Sequence, residues 1–114
     1  RNHFIGVDSG DVALFSDFED DGEMWTGDGP RERTRLIKFS QKFRMPPTVQ
    51  VGLSLWDMNS ETNIRAEVVA EQVTNLGFQL VFRTWGDSRV ARVRMNWLAI
   101  GELAFADDWV VDVE

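Results

Sequence analysis

The polar chemistry of this sequence is concentrated in an acidic segment, residues 16–33, which reads SDFEDDGEMWTGDGPRER. Glycine and proline interrupt it repeatedly, so we expect a long loop rather than a regular element. Its residues at positions 1, 3, 5, 6 and 12 of the calcium-loop template are Asp17, Glu19, Asp21, Gly22 and Asp28. Glu19 and Asp28 depart from the residue types preferred there, and no amphipathic helix flanks the segment. A calcium site is therefore kept only as an alternative.

Catalytic side chains are scarce in this chain. It has no cysteine, which excludes a disulfide framework, a zinc–thiolate site and a cysteine nucleophile. His3 is the single histidine and cannot by itself build a multi-histidine metal site. The sequence has no Gly-x-Ser-x-Gly turn, and no two carboxylates can be singled out as a glycosidase pair. We therefore predict that the protein is not an enzyme and needs no cofactor.

Length and charge set the class of molecule. The 114 residues include 12 basic and 19 acidic side chains, for a formal charge of −7, and 43% are hydrophobic. This size and composition predict one globular domain over residues 1–114, and the acidic balance argues against a nucleic-acid partner. No apolar run approaches the roughly 20 residues of a membrane helix, so we expect no membrane insertion. Arg1 is not an initiator residue, which suggests a processed or excised piece.

Apolar and polar residues alternate along most of the chain after residue 35. The alternation predicts strands at 36–39, 48–56, 63–71, 78–85 and 89–100, with a hairpin connection at 85–88. Consecutive strands with one apolar face each are typical of antiparallel sheets, and stacking two sheets buries those faces. The predicted fold is therefore an all-β sandwich. Residues 102–114 are acidic and form either an extension or an extra strand.

The two faces of the predicted strands have different roles. Trp97, Phe78 and Phe82 alternate with polar residues and are assigned to the core. The opposite faces carry charged and apolar residues together, namely Arg65, Glu67, Val69, Glu71, Val81, Arg83, Arg92 and Arg94. These outer faces are interpreted either as solvated cross-strand ion pairs or as a subunit interface, where arginine is enriched.

Four pieces of the sequence, in order, resemble the H-type lectin domain family of snail agglutinins and the C-terminal domain of discoidins. They are Trp25-Thr26-Gly27-Asp28-Gly29, then Ile37-Lys38-Phe39 with Pro46-Pro47-Thr48-Val49, then Asn63-Ile64-Arg65, and finally Gly77-Phe78 and Thr84-Trp85 with Asn96-Trp97-Leu98-Ala99-Ile100. Each piece is short, but their order and spacing make the resemblance specific. It covers residues 7–101 and leaves 102–114 outside.

The resemblance implies a six-stranded antiparallel β-sandwich of immunoglobulin-like architecture, assembled as a trimer or a dimer of trimers. It implies a multivalent lectin for galactose or N-acetylgalactosamine glycans, bound between subunits without a metal. An extracellular, cell-surface or particle-associated location and a role in cell adhesion go with that implication. The alternative is a non-catalytic oligomerisation or attachment domain of a larger assembly, such as a tail or surface protein, that keeps the fold without the sugar site.

The resemblance also implies which residues bind the sugar. The family's loop aspartate falls on Asp28, beside Gly27, its strand arginine falls on Arg65, and its tryptophan falls on Trp85. These side-chain types suit a sugar. A carboxylate accepts hydrogen bonds from neighbouring hydroxyls, a guanidinium donates a fork, and an indole covers the apolar face of the ring.

Two polar contacts of the family have no counterpart. Gly86 stands where the family has a histidine, and Ala91 stands where it has a tyrosine. We include Gly86 in the predicted site and expect the neighbouring Asp87 to act as the substitute acceptor.

Each matched residue also has a purely structural interpretation. Asp28, between two glycines, can stabilise a turn, and Trp85 can pack on a neighbouring strand. Arg65 can form an ion pair with Glu67 or Glu71 on its own strand. These alternatives are distinguished by where the fold places each side chain.

Overall fold

The computed structural model describes residues 4–104, with the side chains of residues 19 and 20 outside the description. The elements are β1 Ile5–Ser16, α1 Asp17–Asp20, α2 Glu23–Thr26, β2 Arg31–Lys38, β3 Thr48–Met58, β4 Glu67–Glu71, β5 Gly77–Thr84 and β6 Val90–Glu102. Two antiparallel three-stranded sheets, β1–β6–β3 and β2–β5–β4, enclose one core. The predicted all-β sandwich of six antiparallel strands is confirmed.

An aromatic cluster fills one part of the core. The rings of Phe78 and Trp97, from opposite sheets, meet edge to face with centroids 5.5 Å apart. Phe39, just after β2, lies 5.7 Å from Phe78 and 5.9 Å from Trp97. Phe82 is fully buried and Trp97 is 8% exposed, which confirms the predicted core positions. Burying each such side chain stabilises the fold by about 1.5–3 kcal/mol.

Strand β1 has no counterpart in the sequence prediction. Its alternation is hidden because Gly6 and Gly10 stand at positions where the pattern calls for apolar side chains. A Cβ on Gly6 would collide with the side chain of Leu103, and one on Gly10 would lie 2.6 Å from Nε1 of Trp97. Larger residues of neighbouring chain segments therefore fill the space that β1 leaves.

The acidic segment is more ordered than predicted. It contains two helices of one turn each, and β2 begins inside it, at Arg31. The Asp17 carboxylate ties the helices together by accepting the Met24 N–H at 3.0 Å and pairing with Arg33 at 2.8 Å. The Met24 side chain is fully buried. The prediction of a long loop was wrong because a one-turn helix is too short to show a helical period.

The predicted strand at 63–71 is shorter in the structure, since β4 begins only at Glu67. Upstream of β4, the backbone N–H and carbonyl of Arg65 form hydrogen bonds with two side-chain hydroxyls instead of with a neighbouring strand. The Arg65 N–H donates to Ser88 Oγ at 3.0 Å, and Thr84 Oγ1 donates to the Arg65 carbonyl at 2.6 Å. Side-chain hydrogen bonds of this kind compete with sheet pairing, which explains the difference.

Residues 85–89 form the β5–β6 connection. Because β5 and β6 belong to different sheets, this connection crosses from one layer to the other at one end of the sandwich. The predicted hairpin at 85–88 was therefore wrong. The sequence correctly indicated a turn here, but which strands pair depends on how the whole chain packs.

Charged side chains cross-link the outer face of β2–β5–β4. Arg83 lies 2.8 Å from Glu71, 3.1 Å from Glu67 and 3.7 Å from Glu32. The hydrogen bonds that Arg83 donates to Glu71 and Glu67 raise the pKa of Arg83 above its ordinary value. Val81 alternates with Arg83 on this outer face, as expected, but its side chain is fully buried rather than exposed. This face fits the solvated ion-pair interpretation.

The outer face of β1–β6–β3 carries an apolar patch, which we define as Ile5, Val7, Leu98 and Ile100. Val7 is paired with Ile100 in the sheet, and these four side chains are between 36% and 69% exposed. Neighbouring apolar side chains of this size are often covered by another protein surface.

None of the helices within residues 4–104 has the length and hydrophobicity of a membrane-spanning segment.

Candidate functional site

The acidic segment and the β5–β6 connection meet at one end of the sandwich. The Gly29 N–H donates a hydrogen bond of 2.8 Å to the Gly86 carbonyl. Both glycines have positive φ, 78° and 72°, which side chains rarely tolerate. Asp28 and Trp85 immediately precede these two glycines in the chain, so both lie next to this bond. The fold thus brings two of the predicted site residues together within one chain.

Asp28 points its carboxylate into solvent. Its side chain is 72% exposed, and Oδ1 lies 3.8 Å from Nη2 of Arg89. Gly27 closes α2 by donating its N–H to the Glu23 carbonyl, and a Cβ at this position would lie 2.6 Å from that oxygen. Only glycine fits here, and the chain then turns so that Asp28 stands at the surface.

Arg65 does not pair with Glu67 or Glu71, so that interpretation was wrong. Its Nη1 instead lies 2.7 Å from Oδ1 of Asp87 in the β5–β6 connection. A Cβ on Gly86 would lie 3.0 Å from the same nitrogen. Gly86 therefore leaves room for the guanidinium, which occupies part of the space that a larger residue at position 86 would need.

Asp87 is held from two sides. Besides the Arg65 contact, its carboxylate accepts a hydrogen bond from Nδ2 of Asn63 at 3.3 Å. The guanidinium of Arg65, followed by the amide of Asn63, lowers the pKa of Asp87 below its ordinary value. Asp87 is therefore a fixed anion at neutral pH, with lone pairs beyond those that these two donors use.

Trp85 is 43% exposed and borders a shallow depression of about 340 Å³. The depression is lined by Pro30, Arg31, Glu32, Glu67, Arg83, Thr84 and Trp85. The indole therefore offers an accessible apolar surface. Ala91, in contrast, is 3% exposed and presents no side chain at the surface.

Sequence reasoning missed two further arginines at this end. Nη1 of Arg89 donates to the carbonyls of Trp25 and Thr26 at 3.1 and 3.2 Å, beside its contact with Asp28. Arg31 is buried and bonds to the same loop. The one signal available was the composition, with ten arginines against two lysines. Arginine is favoured where a planar fork of donors is needed.

The proposed calcium ligands do not form a common site in the part of the chain that the structure describes. The Asp17 carboxylate is only 11% exposed and is occupied by Arg33 and the Met24 amide. Asp28 lies beyond α2, facing Arg89. The side chain of Glu19 is not among those that the structure describes. No group of three acidic or histidine side chains among the described residues is arranged to hold a metal.

The fold is a β-sandwich that presents a carboxylate, a guanidinium and an indole at one end. The sequence profile of the H-type lectin domain family matches residues 34–100. The chain belongs to this family, which confirms the predicted family relationship.

Comparisons with individual proteins agree with this assignment. A protein of Fuscovulum blasticum described as "ATP synthase subunits region ORF 7" is 52% identical over 108 residues, which cover 95% of this chain and 94% of that protein. Discoidin-2 of Dictyostelium discoideum is 31% identical over 81 residues, covering 70% of this chain and 32% of discoidin-2. The native structure of recombinant discoidin II superposes with a TM-score of 0.74 and 27% identity over 88% of this chain and 38% of that one. The chain therefore spans about a third of these discoidins.

Proposed function

We propose that this protein is a lectin that binds glycans without changing them. The observation that carries the proposal is the meeting of Asp28 and Trp85 across the Gly29–Gly86 hydrogen bond, with Arg65 and Asp87 beside them. An exposed carboxylate and a half-exposed indole are the two groups that a pyranose needs for its hydroxyls and its apolar face. Membership of the H-type lectin family supports the same class of ligand.

Galactose or N-acetylgalactosamine is the proposed type of sugar. The reason is that Asp28, Arg65 and Trp85 match the aspartate, arginine and tryptophan of the resembled family's sugar site. Asp87 takes the acceptor role of the missing histidine, and Gly27 and Gly86 shape the backbone that presents Asp28 and Asp87. Arg89 adds a donor next to Asp28. Each charge-assisted hydrogen bond contributes about 1.5–3 kcal/mol, so a single site binds in roughly the millimolar to micromolar range.

Multivalency compensates for the weak single site in this proposal. We propose a trimer or a dimer of trimers with the sugar bound between neighbouring subunits. The apolar patch lies toward the other end of β6 from the β5–β6 connection and forms a separate part of the subunit contact in this proposal. The patch leaves large apolar side chains exposed in one chain, which supports its burial in an assembly. Several linked sites raise the overall affinity for a surface that displays many glycans by about 100-fold or more.

A second candidate function is an oligomerisation or attachment domain of a larger assembly that keeps the fold without binding sugar. One observation favours it: Ala91 is 3% exposed, so the position of the family's tyrosine contributes no side chain to a ligand. Gly86 likewise adds no polar group. The two candidates therefore differ in whether the carboxylate of Asp28, the guanidinium of Arg65 and the indole of Trp85 suffice to bind a sugar.

A glycan array probed with the assembled protein separates the two candidates. We expect glycans with terminal galactose or N-acetylgalactosamine to bind, and the Trp85→Ala variant to lose that signal. A chromogenic galactoside should release no product. Absence of any signal with the wild-type oligomer would support the attachment domain instead.

A further inference from the structure

Arg31 connects the two halves of the candidate site. It is the first residue of β2 and is only 7% exposed. Its Nε donates to the Gly29 carbonyl at 2.9 Å and its Nη2 to the Gly86 carbonyl at 3.2 Å. Its Nη1 donates to the carbonyls of Glu23 and Met24 at 3.3 and 3.2 Å. All four of these acceptors are backbone oxygens.

The geometry of these bonds depends on a guanidinium. A buried cation is tolerated only when its donors are matched by acceptors, and three nitrogens fixed in one plane reach three separate backbone segments at once. Two acceptors, Glu23 and Met24, are carbonyls in the single turn of α2, and the Glu23 oxygen accepts the Gly27 N–H as well as Arg31. Lysine has one nitrogen on a flexible stem and cannot bridge the same distances.

We propose that Arg31 is the positioning residue of the carbohydrate site. It holds the Gly29 turn against the β5–β6 connection, so that Asp28 and Trp85 keep the separation that one sugar needs. This inference rests on the proposed function. Arg31 acts through its neighbours, and the Gly29–Gly86 hydrogen bond is the contact that it secures.

The two arginines that alternate with Arg31 along β2, Arg33 and Arg35, serve different contacts. Arg33 pairs with Asp17 and Glu23 at 2.8 and 3.0 Å, and Arg35 donates to the Ala13 carbonyl at 3.2 Å. Neither of these bonds involves the β5–β6 connection. Arg35 therefore provides a matched control, because it has the same side chain on the same face of the same strand.

The test compares Arg31→Lys with Arg35→Lys in the full chain. Affinity is measured for the strongest binder of the glycan array, and amide hydrogen exchange is measured at Gly29. We expect Arg31→Lys to bind at least about tenfold more weakly and to exchange the Gly29 amide at least about tenfold faster, while core strand amides remain protected. Arg35→Lys should stay within about twofold of wild type in both measurements.

Each outcome decides the inference. Unchanged Gly29 protection or unchanged affinity in a folded Arg31→Lys variant would overturn it. Should that variant not fold, Arg31→Gln replaces it, and failure of both to fold also overturns the proposal, since the role would then be global. If the wild-type protein binds no glycan, the proposed function fails, and the exchange measurement still decides whether Arg31 holds the turn.

Discussion

At the scale of single residues, the missing side chain of Gly86 leaves room for another group. Gly86 has positive φ and no side chain, and the guanidinium of Arg65 lies where a Cβ would begin to crowd it. Asp87, one residue on, then orients that guanidinium at 2.7 Å. In the proposed lectin site this contact would fix the arginine before a sugar binds and so lower the entropic cost of binding.

Asp28→Ala should abolish glycan binding while leaving the fold intact. The side chain is 72% exposed, so the free energy of unfolding should change by no more than about 0.5 kcal/mol. Glycan titration and thermal melting measure the two effects. Asp8→Ala is the control, because Asp8 contacts Ser40 far from the β5–β6 connection. Retained affinity in Asp28→Ala would contradict the assignment.

The Arg65–Asp87 pair should be insensitive to pH in the neutral range. Because Arg65 lowers the pKa of Asp87 below 3.8, the contribution of the pair is present above that value and is lost as pH falls through the folded-state pKa. We expect the Asp87 carboxyl to titrate below the ordinary aspartate range in an NMR titration. In Arg65→Met the same resonance should move back toward that range, and an unshifted titration in the wild type would refute the contact.

At the scale of elements, the acidic segment is held by one apolar anchor and a set of polar ties. Met24 is fully buried, and its N–H is bound by the Asp17 carboxylate. These contacts fix α2 on the sandwich and so fix the turn that carries Asp28. Stability and site geometry are therefore coupled through this short helix.

Met24→Ala should destabilise the protein by about 2–5 kcal/mol, because it leaves a cavity in the core. Chemical denaturation measures the change. Met45→Ala should cost at most about 0.5 kcal/mol, since Met45 is 70% exposed. Where Met24→Ala remains folded, glycan binding should also weaken. Equal stability of the two variants would show that α2 is not anchored as the structure indicates.

At the scale of the whole molecule, the two outer faces differ in chemistry. The β2–β5–β4 face carries the ion pairs of Arg83 and the exposed Leu36, whereas the β1–β6–β3 face carries the apolar patch and the Arg92–Asp57 ion pair. Exposed apolar area favours association, and solvated charge opposes it. An assembly through β1–β6–β3 would leave the charged face in water.

Ile100→Asp should convert the predicted trimer or hexamer into a monomer. Ile100 is 44% exposed in the single chain, so a charge there should disrupt an apolar contact more than the fold. Light scattering at micromolar concentration measures the mass, and thermal melting checks the fold. Leu36→Asp, 75% exposed on the other sheet, is the control and should keep the wild-type mass. A monomeric wild type would rule out this assembly.

The sequence by itself determined the sandwich and most of its core, because strands from β3 to β6 bury one face each and alternation records that directly. Trp97 and Phe78 were identified in this way. The order of short motifs also identified the family, and with it Asp28, Arg65 and Trp85 as candidates. These are properties that neighbouring residues in the chain encode.

Only the tertiary structure decided what depends on contacts between distant segments. Strand β1 was hidden because Trp97 fills the space beside Gly10. The partner of Arg65 is Asp87 rather than a residue of its own strand, and Arg31 bonds to a carbonyl 55 positions away. Local patterns report which face a residue turns to the core. They do not report which distant backbone or side chain will meet it there, because that choice is made only when the two sheets pack.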